Sequence, residues 1–497
     1  MRKNKNMHAL LLLCLVLCLL PIVACGRQPA VTPTPGSSTE PPDSGAVTEE
    51  EPVPREDLDG YVYRVNARSA KAGNGAFPVE DFWVTEEDAQ ASPVAEAVYT
   101  RNELIQTRFN VVIEQVWSSS NQYDDMQNAF FGGDTYEGAI LLAQVAAPLA
   151  TVNLLRDLGS LSRLQLDADY YDRNAVEQLS MGGRLYYLSG DMNINALDNA
   201  AVTVFNQELL RNYPDITSPY DMVRDGSWTM SNMLNMVADV TVDLNSDGKL
   251  DENDRIGYYA YASCAIYYFY GAGERLSTKG DEGYPTMTVK SQTSPDVIDW
   301  IFTQLNPQKN GKITMGASAD RRKAFENRNV LITDMLLWDV RAQYRGMGIK
   351  YGIVPIPKWS TEQENFCDVV YFQDTVHLWA IPQVCENADR AALMLEVFAA
   401  YSTDTTMDAY FNTTMSLHTA KDPDSMEMLW LVRNSLSYDI DLLYDWGGFL
   451  IFLRNVNKGA SNDFESKCAK SLEGAIAQMN ETLEAFKNPQ NPSQDDE

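Results

Sequence analysis

From residue 58 onward, runs of β-forming residues alternate with apolar residues at helical spacing. Tyr61 to Val65 is aromatic and β-branched and follows the turn dipeptide Asp59-Gly60, so it predicts a strand. A helix opening at Pro93 carries apolar side chains at helical spacing, and residues 110–113 return to β composition. Strand, helix and strand in this order predict a βαβ unit with parallel strands and a right-handed crossover.

The same alternation continues through the chain. The pattern predicts helices over 125–131, closed by Gly132-Gly133, and over 148–155, with a strand over 137–143 between them. Extended segments are predicted at 184–190, 200–206, 329–334, 351–355 and 369–381. Residues after 389 are mainly helical, and the last helix carries an apolar stripe that predicts a core-facing side: Leu472, Ile476, Met479, Leu483 and Phe486. The fold class is therefore α/β, and the roughly 440 residues after 57 predict two domains.

The first 25 residues have the layout of an exported protein. A basic start precedes an apolar run over 9–20, which is shorter than the roughly 20 residues that a membrane-spanning helix needs. Residues 1–24 are thus predicted to be a signal peptide. Their end, Ile22-Val23-Ala24-Cys25, resembles a bacterial lipobox, which implies that Cys25 receives a diacylglycerol and becomes the new N-terminus. An ordinary secreted protein cut nearby is the alternative.

Composition predicts the character of residues 25–57 and the kind of partner that the protein can bind. Residues 25–57 are rich in Pro, Thr, Ser and Glu and predict a disordered tether that reaches on the order of 30 Å from the lipid. The chain carries a net charge of −30, and removal of residues 1–24 takes away three positive charges to leave −33. Nucleic acid is not expected as a partner, because phosphate binding needs a basic surface.

The spacing of the cysteines and the small number of histidines argue against a zinc site and a histidine-rich site. Four cysteines follow Cys25, and their wide spacing matches no zinc motif. Cys367 and Cys385 flank a predicted strand that separates them too far for a disulfide. Only His377 and His418 remain after processing, so a histidine-rich site is not expected.

Several segments occur in an order that resembles the extracellular solute-binding proteins of sugar ABC importers, the maltose-binding-like family 1 group. These segments are 136–142, 155–158, 183–187, 201–210, 226–229 and 351–358. The resemblance implies a periplasmic-binding-protein-like fold, with two α/β lobes, a hinge and a ligand cleft, and no catalysis. It also implies an extracytoplasmic, lipid-anchored protein that delivers a sugar, with an oligosaccharide favoured, to an ABC permease.

The same resemblance implies a division of the chain. It gives 58–190 and 334–383 to the first lobe, 191–333 and 384–482 to the second, and 483–497 to the end of the last helix and an acidic tail. The lobes would be crossed near 190–201, near 331–338 and at the end of the strand over 369–382.

The sharpest local motif is an acidic loop at 243–254. Oxygen ligands stand at positions 1, 3, 5, 9 and 12 and a glycine at position 6, which is the pattern of a calcium loop. The predicted ligands are Asp243, Asn245, Asp247, Lys249 through its backbone carbonyl, Asp251 and Asp254. Aspartate replaces the usual glutamate at position 12, as in dockerin-like loops. A helix, the loop and a strand predict a structural calcium rather than a sensor, and a solvated acidic turn is the alternative.

Candidates for ligand binding lie at sheet ends and crossings, where flat aromatic faces and polar groups suit a sugar. They are Gln144, Asp191, Asn193, Trp338, Asp339, Tyr371, Asp374 and Trp446. A second group is expected mainly to pack, with one or two members in the cleft: Tyr258, Tyr259, Tyr261, Tyr267, Tyr268 and Tyr270.

Two other functions stay open at this point. A lipid-anchored glycoside hydrolase would need two facing carboxylates, which 69 acidic residues can supply, although no catalytic motif is found. A surface adhesion module would use the tether equally well. The ligand is also open, since oligosaccharide, monosaccharide, polyol and peptide all suit an aromatic cleft.

Overall fold

A computed structural model describes residues 51–68, 81–118, 121–251, 253–344, 346–371, 375–415 and 423–490. Within these ranges the chain builds two separate main sheets, each covered by helices. The predicted signal peptide at 1–24, Cys25, Asp374 and His418 lie outside the described residues.

Strands and helices follow one another along most of the chain. The strands are β1 (Tyr61–Arg68), β2 (Val111–Ser118), β3 (Gly138–Leu142), β4 (Ala201–Asn206), β5 (Ile256–Ala260), β6 (Ser277–Lys279), β7 (Pro285–Met287), β8 (Ile313–Met315), β9 (Val330–Leu336), β10 (Tyr351–Pro355), β11 (Asp368–Val369), β12 (His377–Ala380) and β13 (Leu436–Ser437). The α-helices are α1 (Pro93–Phe109), α2 (Gln122–Gly132), α3 (Ala143–Thr151), α4 (Arg173–Leu179), α5 (Ile194–Asp198), α6 (Gln207–Leu210), α7 (Pro219–Arg224), α8 (Met230–Val240), α9 (Cys264–Gly271), α10 (Ser294–Gln304), α11 (Ser318–Glu326), α12 (Leu337–Ala342), α13 (Ala388–Ser402), α14 (Pro423–Asn434), α15 (Asp441–Tyr444), α16 (Phe449–Leu453) and α17 (Phe464–Lys487). Two segments after α13, Thr403–Met407 and Ala409–Met415, are π-helical.

The first sheet has the strand order β12-β3-β1-β2. β1 runs parallel to β2 and β3, while β12 is antiparallel to β3. Local signals set the connecting helix α1: the Ser92 side chain accepts from Ala95 N–H, Pro93 occupies the first turn, and Asn110 ends the helix in the left-handed region at φ 49°. The predicted βαβ unit is therefore present, and its strands end at one edge of the sheet.

The second sheet has the order β10-β4-β9-β5-β8. β5 is parallel to both β8 and β9, and β4 is antiparallel to its neighbours β9 and β10. The carboxyl ends of β5, β8, β9 and β10 consequently lie at one edge, where β4 begins. Ligands of α/β proteins bind outside the carboxyl ends of strands, so this edge and its counterpart on the first sheet are the candidate positions for a site.

The structure divides the chain differently from the sequence prediction. The predicted second crossing at 331–338 falls on β9, which is hydrogen-bonded between β4 and β5 inside the second sheet. The predicted return to the first lobe at 334 occurs instead with β12 at 377–380. The later segment also differs: α13 packs on the first lobe, where Phe398 contacts the rings of Tyr63 and Trp379.

Both ends of the folded part show smaller differences. The predicted tether extends to 57, but Val53 is 3% exposed in the core and Arg163 pairs with Glu56 at 2.8 Å. Folded structure thus begins before residue 58. In α17 the predicted apolar stripe is buried at Met479, Leu483 and Phe486, whereas Ile476 is 39% exposed. All four cysteines of the described part are free thiols.

Candidate functional site

Two segments connect the sheets, and hydrogen bonds hold them side by side. The first is 190–201, which contains α5, and the second is 369–377. The N–H of Tyr371 donates to the carbonyl of Asn199 at 3.0 Å, and the Thr375 hydroxyl donates to the Asn199 side chain at 2.8 Å. The N–H of His377 donates to Oδ1 of Asn195 at 2.8 Å. The paired crossings therefore form a hinge between the two sheets.

The carboxyl edge of the second sheet presents aromatic and acidic side chains beside this hinge. Tyr261 follows β5, and Trp338 and Asp339 open α12 directly after β9. Tyr261 and Trp338 are half-buried, and the Asp339 side chain is 13% exposed. On the first sheet Gln144 lies in the first turn of α3, directly after β3, and is exposed. Three of the predicted ligand residues thus lie at the two carboxyl edges.

Three tyrosine rings connect the second sheet to the hinge. The rings of Tyr261 and Tyr267 are parallel within 2° with centroids 5.9 Å apart. The ring of Tyr267 meets that of Tyr371 edge-on at 5.9 Å. Tyr267 and Tyr371 are buried, so Tyr261 is the member of this tyrosine group with accessible surface. Aromatic rings of this kind offer a flat apolar face and a polar tip to a sugar.

A buried charge cluster lies behind the tyrosine group. Arg321 on α11 is fully buried, and its guanidinium lies 4.9 Å from the centre of the Tyr261 ring. Burial raises the pKa of Asp334 to about 6, although Arg321 acts in the opposite direction. Burial likewise raises the pKa of Asp339, and Arg321 again opposes this shift. No sequence pattern indicates a role for Arg321, which lies in a helix with the composition of a surface helix.

Two predicted ligand residues are instead part of the hinge. The Asp191 carboxylate, 3% exposed, pairs with Arg433 and accepts from the Thr403 hydroxyl at 2.7 Å. Asn193 donates to the carbonyl of His377 at 2.8 Å, and its Oδ1 accepts from the N–H at the start of α5. Asp191 thus binds residues of the C-terminal helical part, and Asn193 binds within the two crossings, so both side chains stabilise the hinge region.

Of the two remaining predicted ligand residues, the structure describes Trp446. Trp446 is 2% exposed, stacks on Tyr444 with centroids 5.2 Å apart and donates from Nε1 to Thr482 at 3.1 Å. It is a core residue packed beneath α17. Asp374 lies outside the described residues.

His377 is a residue at the hinge that sequence reasoning did not single out for binding. Its imidazole is 1% exposed at the start of β12, and neither ring nitrogen has a hydrogen-bond partner within the described ranges. Burial, together with the nearby charge of Arg68, lowers the pKa of His377 to about 3. The ring is therefore neutral at physiological pH.

The acidic loop connects α8 to β5, in the predicted order of helix, loop and strand. Gly248 adopts φ 79° and Ser246 φ 60°. Asp243 accepts from Ser246 and Gly248 N–H groups at 2.7 and 2.9 Å, and the fully buried Asp254 accepts from Leu244 N–H at 2.9 Å. In the part of the chain that the structure describes, no three acidic, cysteine or histidine side chains come together as a metal-binding group. Calcium binding by this loop stays a prediction.

Comparisons with known proteins identify the fold. No protein-family model matches the chain, and no curated protein matches it by sequence. An extracellular solute-binding protein from Staphylococcus aureus, solved in complex with maltose, is 10% identical with a TM-score of 0.55, over 86% of this chain and 99% of that one. The galacto-N-biose-/lacto-N-biose I-binding protein of an ABC transporter from Bifidobacterium longum is 12% identical with a TM-score of 0.54, over 87% and 99%.

A third solved structure is described as a family 1 extracellular solute-binding protein from Bifidobacterium longum subsp. infantis. It is 13% identical with a TM-score of 0.52 and covers 85% of this chain and 99% of its own. Each comparison extends over nearly the whole of the other protein, so both lobes and the hinge are included. The chain therefore has the periplasmic-binding-protein-like α/β fold of the family 1 solute-binding proteins, as the sequence resemblance predicted.

Proposed function

We propose that this protein is the solute-binding component of an ABC importer, which captures a carbohydrate between its lobes and delivers it to the membrane permease. The observation that carries the proposal is the tyrosine group of Tyr261, Tyr267 and Tyr371, which spans from the second sheet to the hinge. The fold supports it, since solved proteins of the same fold are described as bound to maltose or to lacto-N-biose. An oligosaccharide is the favoured ligand.

The chemistry of the two edges suits a sugar. Tyr261 and Trp338 supply accessible aromatic surface against which the apolar face of a pyranose ring can pack. Asp339 and Gln144 supply hydrogen-bonding groups for hydroxyls, one from each sheet edge. A ligand between the edges would touch both lobes at once.

Binding then favours closure for a thermodynamic reason. A solute that contacts only one lobe gains nothing from a change in lobe angle, whereas one that contacts both binds the closed form more tightly. The ligand shifts the equilibrium by this difference in affinity. A hinge made of two hydrogen-bonded crossings allows such rotation without unfolding either sheet.

The carboxylates of the site favour binding over glycoside hydrolysis. Asp334 lies in β9 and Asp339 in the helix α12 that directly follows it, on one side of the site, whereas glycosidases place two carboxyl groups on opposite sides of the scissile bond. Solved proteins of this fold are described as ABC substrate-binding proteins. We accordingly treat the protein as a binding protein without catalysis.

The proposed cellular location of the protein rests on its N-terminal sequence. The lipobox-like segment at 22–25 supports attachment of the mature chain to the membrane through Cys25, on the extracytoplasmic side. Among the helices that the structure describes, none combines the length and apolar content required to span a bilayer.

Calorimetry and solution scattering test this function together. The mature protein is titrated with maltose, maltotetraose and lacto-N-biose, with a tripeptide as the chemically different control, and its radius of gyration is measured with and without each compound. We expect at least one sugar to bind and to reduce the radius of gyration, while the tripeptide does neither. Sugar binding without compaction would favour an adhesion module, and release of shorter sugars would favour an enzyme; either result contradicts the proposal.

A further inference from the structure

Arg321 lies behind the site rather than in it, and it contacts the turn that carries the accessible tyrosine. Its Nη1 donates to the carbonyl oxygen of Asp334 and, at 3.4 Å, to the Thr333 hydroxyl. The guanidinium lies against the Tyr261 ring at 4.9 Å. The side chain is fully buried, so no solute can reach it from the cleft in this arrangement. Arg321 can influence a ligand only through Tyr261 or Asp339.

Arg321 and Asp339 interact electrostatically but form no hydrogen bond with each other. Nη2 lies 4.0 Å from Oδ2 of Asp339, and neither Nε nor Nη2 has a hydrogen-bond partner within the described residues. A bidentate arginine would occupy both carboxylate oxygens. Asp339 instead accepts from Gln343 Nε2 at 2.9 Å and from Leu336 N–H at 3.4 Å. About half of the roughly four acceptor positions of a carboxylate therefore stay open.

The electrostatic surroundings make Asp339 dependent on this one cation. Burial raises the pKa of Asp339, and Arg321 is the largest influence that lowers it again. The other ionisable groups that interact with Arg321 and Asp339 include Asp334, Tyr261, Tyr267 and Tyr344. Two further cations act on these tyrosines, Arg454 on Tyr261 and Arg322 on Tyr344, but Arg321 is the cation that lowers the pKa of Asp339. Burial raises the pKa of all three tyrosines, so they are neutral, and Asp334 adds negative rather than positive charge.

We infer that Arg321 is a positioning residue whose buried charge stabilises the Asp339 carboxylate and leaves its acceptor positions open, so that the site selects neutral, hydroxyl-rich sugars over acidic sugars. The inference rests on the proposed function, because it names the class of sugar for the same site. A sugar hydroxyl donates to the open positions of Asp339. A sugar carboxylate cannot reach the unused donors of Arg321, which are buried behind Tyr261, and is repelled by Asp339.

Calorimetric titration between pH 5 and pH 8 tests the inference, with maltose and lacto-N-biose as neutral probes and digalacturonate as the acidic probe. The wild type is expected to bind a neutral probe at least about tenfold more tightly than digalacturonate, as hydrogen bonds to charged groups commonly contribute. Its affinity for the neutral probe falls at low pH, because protonated Asp339 loses acceptor capacity. Arg321→Gln raises the pKa of Asp339, so this fall is expected to begin at higher pH.

Matched variants separate positioning from folding. Arg321→Lys restores a buried positive charge and should move the midpoint of the pH profile back toward the wild type. Arg322→Gln removes the same charge from the neighbouring, exposed position and should leave the midpoint unchanged. If Arg321→Gln does not fold, Asp339→Asn provides the test: its affinity for the neutral probe at pH 8 is expected to be about tenfold weaker than that of the wild type.

Each outcome decides between the two proposals. Suppose that the wild type binds a neutral sugar. The role of Arg321 is then overturned, and the proposed function stands, if any one of three results is found: full affinity in Asp339→Asn, an unshifted midpoint in Arg321→Gln, or equal affinity of the wild type for digalacturonate. Absence of binding by the wild type to any probe at any pH overturns both.

Discussion

Trp338→Ala is the most direct test of where the ligand lies. Trp338 opens α12 at the carboxyl edge of the second sheet and is half-buried by the protein. A tryptophan side chain buries about 150–250 Å² when fully covered. A sugar ring stacked on the remaining face would cover about 80 Å² of it, which at about 25 cal/mol per Å² corresponds to about 2 kcal/mol. The variant should therefore bind about 30-fold more weakly.

Affinity and thermal stability have to be measured on the same preparation. Calorimetry with the best-binding sugar of the panel gives the change in Kd, and thermal unfolding gives the change in Tm. Trp300→Ala is the matched control, since Trp300 is also a half-buried tryptophan of the second lobe. It packs on Tyr268 and Trp359 with centroids 6.0 and 6.2 Å apart, away from the hinge. The control should lower Tm and leave Kd unchanged.

The opposite pattern would refute this placement. A buried tryptophan costs about 3–5 kcal/mol of stability when it is cut to alanine. If Trp338→Ala retains full affinity but loses more stability than Trp300→Ala, Trp338 is a packing residue. The cleft would then have to be built from Tyr261 and the first-lobe edge alone.

Three further results are expected. Mass spectrometry of the native protein should show acylated Cys25 at the N-terminus, and an unmodified first residue or an intact signal peptide would end the anchoring proposal. We propose that the 243–254 loop binds a structural calcium: chelation should lower Tm by mass action in the wild type and not in Asp247→Ala, and identical melting curves with no metal in the purified protein would contradict this. The depressed pKa of His377, about 3 against an ordinary 6.5, means that the unfolded chain takes up the proton, so stability is lost as pH falls below 6.5. His377→Gln should remove about 2 kcal/mol of this loss at about pH 5 in urea unfolding, whereas equal pH slopes would show that the ring is not buried as described.

The fold was predictable from sequence where local signals specify each element. β1, α1, β2 and β3 each carry a periodic apolar pattern, and α1 also has a capping serine, a proline in its first turn and a left-handed end residue. The crossing predicted at 331–338 shows the limit of such signals. Periodicity indicates that β9 is a strand but not which strands it pairs with, and its partners β4 and β5 are far away in sequence.

The residues of the candidate site could be placed from sequence only in part, for a related reason. Trp338, Asp339 and Gln144 follow directly on strand ends, where a local pattern suffices to place them at a sheet edge. Polar residues of a crossing look the same in sequence whether they face a ligand or another segment. Asp191 pairs with Arg433, more than 240 positions later, so its role emerges only when both are folded.

The hinge contacts indicate where the proposed lobe rotation would take place. Asn195 on α5 is bonded to His377 at the edge of the first sheet, while Asp198, one turn later on the same helix, pairs with Arg341 on α12 of the second lobe. α5 has only five residues and is hydrogen-bonded to both lobes. It therefore could not follow either lobe as a rigid part of it during closure. If the lobes close as proposed, we expect the rotation axis to pass close to α5, so that these short contacts change little while the outer parts of the edges move further. Trp338 lies on the same helix as Arg341, near this axis, so it is expected to move less during closure than the outer parts of the edges and to keep its aromatic face at the same place in the site.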